Sequence, residues 1–243
     1  MSRETELRRP TPWLLGVSTA LAFLPSIGTA AESRCFGTVA NGRIADSARL
    51  PLSGPNFSAY STIAAGAGRT YVHSSVARIV ERSYRTLETT MPGTVFVYGE
   101  TGFADGGRFK PHRTHQNGTS VDFFVPVKDG KGRSVPLPTP VTQRFGYDIE
   151  FDKETRHGEY RIDFEALAEH LYQLDAAAKA EGTGIALVIF DNAYLPKLFA
   201  TKRGPWLEKH LSFMRSKPWV RHDEHYHVDF AIRCKAAPTA PRS

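Results

Sequence analysis

The sequence predicts an α+β domain rather than a doubly wound sheet, on three observations. Along the chain the apolar period switches between the 3.6 of helices and the 2 of strands. The order of elements is helix, strand, strand, helix, strand, helix, helix, strand, with uneven gaps that do not suit repeated βαβ units. No internal repeat and no long linker divides the 243 residues, so 31–243 is expected to be one domain.

Taken in order, residues 36–69 are rich in Gly, Ala, Ser and Pro and are expected to be irregular, with one short strand. Val72, Val76, Ile79, Val80, Tyr84 and Leu87 mark the apolar face of a helix over 71–88, stopped by Pro92-Gly93. The β-branched and aromatic run 94–98 is a strand. Residues 99–118, with glycines at 99, 102, 106 and 107, form a long loop of the functional or mobile kind. These glycines would let backbone approach an extended ligand closely. A second strand covers 121–127, and the polar stretch 128–160, with Pro136, Pro138 and Pro140, is an excursion.

Asp163 caps a helix whose face is Phe164, Leu167, Leu171, Leu174 and Ala178, and Gly182 and Gly184 end it. The continuous apolar run 185–190 is expected as a strand buried on both faces. A short helix follows Asp191-Asn192, and Gly204-Pro205 opens another. The last strand is 225–233, and 235–243 is a frayed tail.

Composition is that of a globular protein, 41% apolar and 23% charged. No apolar run reaches the roughly 18 to 20 residues that span a bilayer. At the N-terminus, Arg8 and Arg9 precede an apolar stretch over 13–24, and small residues end in Gly28-Thr29-Ala30-Ala31. This is the order of a secretory signal peptide, residues 1–30, and implies export to the periplasm with no membrane span after cleavage. Residues 1–30 carry three arginines against two glutamates, so the remainder keeps +5 of the chain's +6. That charge suits an anionic polymer, but it is spread rather than bunched, which argues against nucleic acid. Cys35 and Cys234 are the only cysteines. In an exported chain they read as a disulfide closing a loop of about 200 residues, worth about 5 kcal/mol in chain-entropy terms. The alternative is a pair of free buried thiols.

The histidines carry the chemistry. His112 and His115 precede Asp122, and His222, His225 and His227 cluster near the end of the chain. Neutral imidazoles with a carboxylate are donors that Zn2+ prefers, and three such ligands leave one position open for water. On a strand, His225, His227 and Asp229 share one face, while Tyr226, Val228, Phe230 and Ile232 share the other. Adjacent strands of one sheet would bring Asp122 to His227, with His115 reaching in from the preceding loop. A histidine with a pKa near about 6.5 can take a proton and return it. Asp223, Glu224 and Asp229 are candidates to accept ring N–H groups. His73, His170 and His210, isolated on helical patterns, read as ordinary packed or solvated residues.

Two segments together resemble the penicillin-insensitive murein endopeptidases, relatives of the lysostaphin-type and D-Ala-D-Ala metallopeptidases. One is Gly99-Glu-Thr-Gly-Phe-Ala-Asp-Gly-Gly-Arg-Phe-Lys-Pro-His112-Arg-Thr-His115-Gln-Asn-Gly-Thr-Ser-Val-Asp122. The other is Lys217-Pro-Trp-Val-Arg-His222-Asp-Glu-His225-Tyr-His227-Val, followed by Arg233-Cys234. The resemblance implies a small antiparallel sheet core flanked by helices. It implies His115, Asp122 and His227 as zinc ligands, His225 as the residue that activates water or stabilises the intermediate, and His222 beside it as alternative base or orienter. His112 would line the site or serve a second metal, and Glu154 with His157 would stand where relatives carry a further acidic–histidine pair. The implied reaction is hydrolysis of the D-Ala–meso-diaminopimelate cross-link of peptidoglycan. Arg108 and Arg113 are candidates to meet carboxylates of the wall peptide. A D,D-carboxypeptidase and a non-catalytic zinc- or peptidoglycan-binding protein are the alternatives. A metal-dependent nuclease is disfavoured, because the chain lacks an acidic cluster for magnesium and an aromatic-interleaved basic stretch.

Overall fold

A computed structural model describes residues 31–216 and 218–237; the expected signal peptide, 1–30, and the last residues of the expected tail, 238–243, lie outside the described residues. A hairpin of β1 (Arg34–Thr38) and β2 (Asn41–Ala45) comes first, then β3 (Ala48–Arg49), β4 (Phe57–Ala59), the short α1 (Thr62–Gly66) and β5 (Tyr71–Val72). Helix α2 (Ser74–Thr90), β6 (Phe96–Tyr98) and β7 (Ser120–Phe124) follow. The excursion contains β8 (Val127–Lys128), β9 (Ser134–Val135), a 3-10 segment at Val141–Gly146, β10 (Arg156–His157) and β11 (Tyr160–Ile162). Helix α3 (Phe164–Ala180), β12 (Ile185–Ile189), α4 (Leu195–Phe199), α5 (Gly204–His210) and β13 (His225–Phe230) complete the chain. The α+β class is as the sequence predicts. Residues 36–69 hold more structure than expected, because strands of two to five residues are too short for a period to show.

The main sheet runs β12–β13–β7–β6–β4 and is antiparallel except for the parallel pair β4–β6. Its two faces differ. Phe123 of β7 and Tyr226 of β13 stack on the helix side, where the His170 ring of α3 meets Phe123 at 4.8 Å and Tyr84 of α2 at 5.1 Å. The large side chains Ile79, Val80, Tyr84 and Leu87 of α2 are at most 1% exposed. Burial of each is worth about 1.5–3 kcal/mol, more than the propensity of the helix contributes. The opposite face carries Asp122, His225 and His227.

The strand at 185–190 departs from expectation. It is an edge strand, with Ala186 exposed and Ile185 and Leu187 half-buried, rather than one buried on both faces. Its apolar run is explained by α3 on one side and by the segment at Ser212–Met214 along its free edge. Val188 donates to Ser212 O at 2.8 Å and accepts from Met214 N at 2.9 Å, which covers the edge. Cys35 and Cys234 form the expected disulfide across 199 residues. Beside it, Gly37 N–H donates to Lys235 O at 2.8 Å and Lys235 N–H to Cys35 O at 2.9 Å, so Lys235 is held against β1 and does not belong to a frayed tail. Among the described residues no helix is long and apolar enough to cross a membrane.

His73 accepts the Ser75 N–H as the N-cap of α2, and Asp163 accepts the Ala166 N–H as the N-cap of α3. His170 is fully buried, its Nδ1 against the Tyr226 hydroxyl and its Nε2 at 3.5 Å from Ser83 Oγ. Burial pushes the His170 imidazole down to about 3, whereas an unfolded chain binds the proton near about 6.5. Between these values the unfolded state holds more protons, so stability is complete above the unfolded pKa and falls as pH falls towards the folded one. In urea unfolding at pH 7 and pH 5, His170→Phe is expected to lose about 2 kcal/mol less between the two than wild type. Equal losses would contradict a neutral buried ring.

Candidate metal centre

Asp122 is the hub. Its register partner across β7–β13 is His227, and His225 faces Phe124 two residues along. Pleating puts Asp122, His225 and His227 on one face. Asp122 Oδ1 lies 2.9 Å from His227 Nδ1 and 3.2 Å from His115 Nε2. Its Oδ2 accepts from the Tyr147 hydroxyl at 3.0 Å and faces His112 Nδ1 at 3.7 Å and His225 Nε2 at 3.9 Å. The donor atoms of His112, His115 and Asp122 all lie within 4.8 Å of one another.

Each imidazole has its other nitrogen tied down. His115 Nδ1 pairs with Thr101 O at 3.1 Å, and His112 Nε2 with Glu100 Oε2 at 2.5 Å. His222 Nδ1 pairs with Val220 O at 2.9 Å, and His225 Nδ1 with Glu224 Oε1 at 2.7 Å. His227 Nε2 pairs with Asp229 Oδ1 at 2.8 Å, and Ser120 Oγ donates to that same oxygen. Assigning the ring proton to these outer bonds turns the free nitrogens of His112, His115 and His225 towards the carboxylate.

The electrostatics follow from burial against this wiring. Burial would raise the Asp122 carboxyl, but the His115 and His225 imidazoles and the hydrogen bond from His227 outweigh it and hold it well below the usual range. Burial lowers His115, lowers His225 to about 4 and lowers His222 to about 3, so all three are neutral at pH 7. Burial would also lower His227, yet Asp229 and Asp122 on either side raise it to about 10. His115 Nε2 is buried and has no aligned hydrogen-bond partner. A neutral imidazole nitrogen without a partner beside an ionised carboxylate fits a divalent ion that takes nitrogen and oxygen donors.

The centre is reached from a cleft of about 500 Å³ whose walls include His112, Tyr147, Trp219, Arg221 and the His222–His225 stretch. His222 and His225 rings lie 4.6 Å apart there. Of the candidate substrate arginines, Arg113 stands over Trp219 at 5.8 Å, at the cleft edge, while Arg108 is exposed and outside the lining. The cations in the wall are Arg144 and Arg221. Glu154 is exposed, and His157 pairs with Glu150 O at 3.0 Å on the β10–β11 hairpin, outside the group around Asp122. Of the acidic candidates, Glu224 and Asp229 hold rings, whereas Asp223 accepts from Phe151 N–H at 2.6 Å and braces the excursion. Several glycines of 99–118, namely 99, 102, 106 and 118, are needed for the protein's own packing, whereas Gly107 faces open space. A Cβ at Gly106, where φ is +67°, would lie 2.2 Å from Gln116 O.

Two residues of the site carry no sequence signal. Glu100, 6% exposed, accepts from Tyr60 and Arg69 and meets His112. Burial would raise it, but bonds from His112, Arg69 and Tyr60 hold it at about 2. Tyr147 comes from the excursion, 25 residues beyond Asp122. A lone carboxylate in a loop and a lone tyrosine in a proline-rich stretch match no spacing rule.

Fold and centre together define an α+β protein with a candidate metal site on one face of a mostly antiparallel sheet. The chain belongs to the penicillin-insensitive murein endopeptidase family, which it matches over residues 35–241. A penicillin-insensitive murein endopeptidase of Klebsiella pneumoniae subsp. pneumoniae is 27% identical over 213 residues, covering 86% of this chain and 69% of that protein. Another, of Escherichia coli O1:K1, is 25% identical over 231 residues, covering 92% of this chain and 76% of that one.

The Arg69–Glu100 pair supplies a stability test, because removing one partner leaves a charge largely buried. Arg69→Met is expected to cost about 3 kcal/mol in urea unfolding at pH 7, and Arg69→Met with Glu100→Gln to cost clearly less. A double variant as unstable as the sum of the two singles would show that the two groups do not interact.

Proposed function

We propose that the chain is a zinc-dependent murein endopeptidase that hydrolyses the D-Ala–meso-diaminopimelate cross-link of peptidoglycan in the periplasm, after loss of residues 1–30. The observation that carries the reading is the unpartnered Nε2 of His115 beside Asp122, both buried behind a cleft whose wall holds His112, His227 and the neutral ring of His225. His115 Nε2, Asp122 and His227 Nδ1 would hold the zinc, a three-ligand set of the catalytic kind. When bound, zinc polarises the scissile carbonyl and makes water a stronger acid.

The protein's own groups do the rest. His225 Nε2 takes a proton from the attacking water and passes it to the leaving amine. Its ring cannot turn away, because Nδ1 is held by Glu224 at 2.7 Å. His222, with Nδ1 engaged by Val220 O, offers its Nε2 to the substrate from the cleft wall. His112, steadied by Glu100, lines the cleft with its donor atom in reach of the same ion as His115 and Asp122. Arg144 and Arg221 in the wall and Arg113 at the edge are suited to the carboxylates of a wall peptide. Trp219, 39% exposed, offers an apolar face to the cross-bridge.

Digestion of purified peptidoglycan is the test. Cross-linked dimers are expected to convert to monomers, with chelator abolishing the reaction and zinc restoring it. His115→Ala and His227→Ala are expected to lose both metal and activity. His225→Ala is expected to keep its zinc while turnover drops by about 10²–10⁴. Release of terminal D-Ala from intact dimers would instead make the chain a carboxypeptidase, and unchanged dimers with zinc bound would make it a binding protein.

A further inference from the structure

Tyr147 has no place in either histidine motif, yet its hydroxyl is wired into the centre. It accepts the Glu100 N–H at 2.8 Å and donates to Asp122 Oδ2 at 3.0 Å. Because Glu100 N–H can only donate, the hydroxyl proton is directed to the carboxylate, and the direction of the chain is fixed. We propose that Tyr147 is a positioning residue that sets the orientation of the Asp122 carboxylate for metal binding, pinning Oδ2 so that Oδ1 is presented between His115 and His227. The proposal rests on the reading of Asp122 as a metal ligand.

Three further observations support it. The other approaches to Oδ2, from His112 and His225, are longer, at 3.7 and 3.9 Å, so the phenol is the one close hydrogen bond on that oxygen. The backbone leading into Tyr147 is left-handed at Arg144, Phe145 and Gly146, with φ of +48°, +57° and +99°. Two of these are not glycine, and such conformations persist only where the surroundings enforce them, typically at functional sites. Finally, the hydroxyl needs Gly99: a Cβ there would lie 2.6 Å from Tyr147 Oη and 3.1 Å from Asp122 Cβ. The ring itself stands between His112 and His225, with centroids at 5.3 and 5.0 Å, so the same residue spaces the two histidines.

A purely structural tyrosine would affect unfolding and leave metal affinity alone. The experiment is competition for zinc between the full chain and a chromophoric chelator, with thermal unfolding of the metal-free protein measured alongside. Tyr147→Phe keeps the ring and removes only the hydroxyl; it is expected to weaken zinc binding by roughly ten- to a hundredfold. Affinity unchanged within about twofold, whatever the unfolding midpoint, overturns the proposal. Asp122→Asn separates the two levels: if it too keeps its affinity, the ligand reading fails, whereas loss in Asp122→Asn with none in Tyr147→Phe removes only the role of Tyr147. Gly99→Ala provides a second route should Tyr147→Phe not fold. It is expected to weaken zinc binding, because the hydroxyl must move away from Asp122, and affinity unchanged within about twofold overturns the proposal.

Discussion

A carboxylate with no exposure to water, Asp122, is the constraint around which the rest is built. An ionised carboxyl in that position is unfavourable unless its oxygens are met by donors or cations. The sheet satisfies this by register, setting His227 directly opposite on the neighbouring strand. The loop before β7 supplies His112 and His115, and the excursion supplies Tyr147. Taken with Glu100 and Asp229, the centre concentrates negative charge that is only partly balanced by Arg69 and His227. A dication held as proposed above would answer that imbalance.

The second ring of partners divides the labour among chemically identical side chains. Five histidines face the same region, and what separates them is the group on the far nitrogen. His115 and His222 give theirs to backbone carbonyls, whereas His112, His225 and His227 give theirs to carboxyl groups. A carboxylate behind an imidazole makes it more basic and a better donor to metal or proton. His225 differs: burial raises its partner Glu224 to about 8, so at pH 7 the group behind the ring is a neutral carboxyl, which orients the imidazole without making it more basic. His225 thereby stays neutral and oriented, the state a general base needs before the reaction begins.

The core of this arrangement was legible from the chain, because strand alternation alone puts His225 and His227 on the face opposite Tyr226 and Val228. The Asp122–His227 pairing was accessible too, since both lie on strands with strong β patterns. What could not be read depends on contacts distant in sequence. Glu100 and Arg69 meet across 31 residues, and Tyr60 reaches Glu100 across 40. The many short strands of 36–69 and 128–160 come from pairings of two or three residues, which leave no period behind. The edge strand β12 misled for a related reason: an apolar run says that side chains are covered, not whether the cover is a second strand or a crossing loop.

The same division explains where backbone strain is found. Of the described non-glycine residues with positive φ, His115 and His222 belong to the centre itself, and Arg144 and Phe145 deliver Tyr147 to it. Such conformations cost free energy locally and persist only where surrounding contacts exceed that cost. Around Tyr147 those contacts are Phe145 edge-on to Tyr60 at 6.2 Å and Tyr147 edge-on to Phe124 at 5.1 Å, while the aromatic layer of Phe123, Tyr226, Tyr84 and His170 is fully or almost fully buried between sheet and helices, on the face the site does not use. One face of the sheet is therefore optimised for packing, and the other holds polar groups and strained turns that would not persist alone. A substitution in the aromatic layer should then loosen the centre without touching it, because the two faces share the same two strands, β7 and β13.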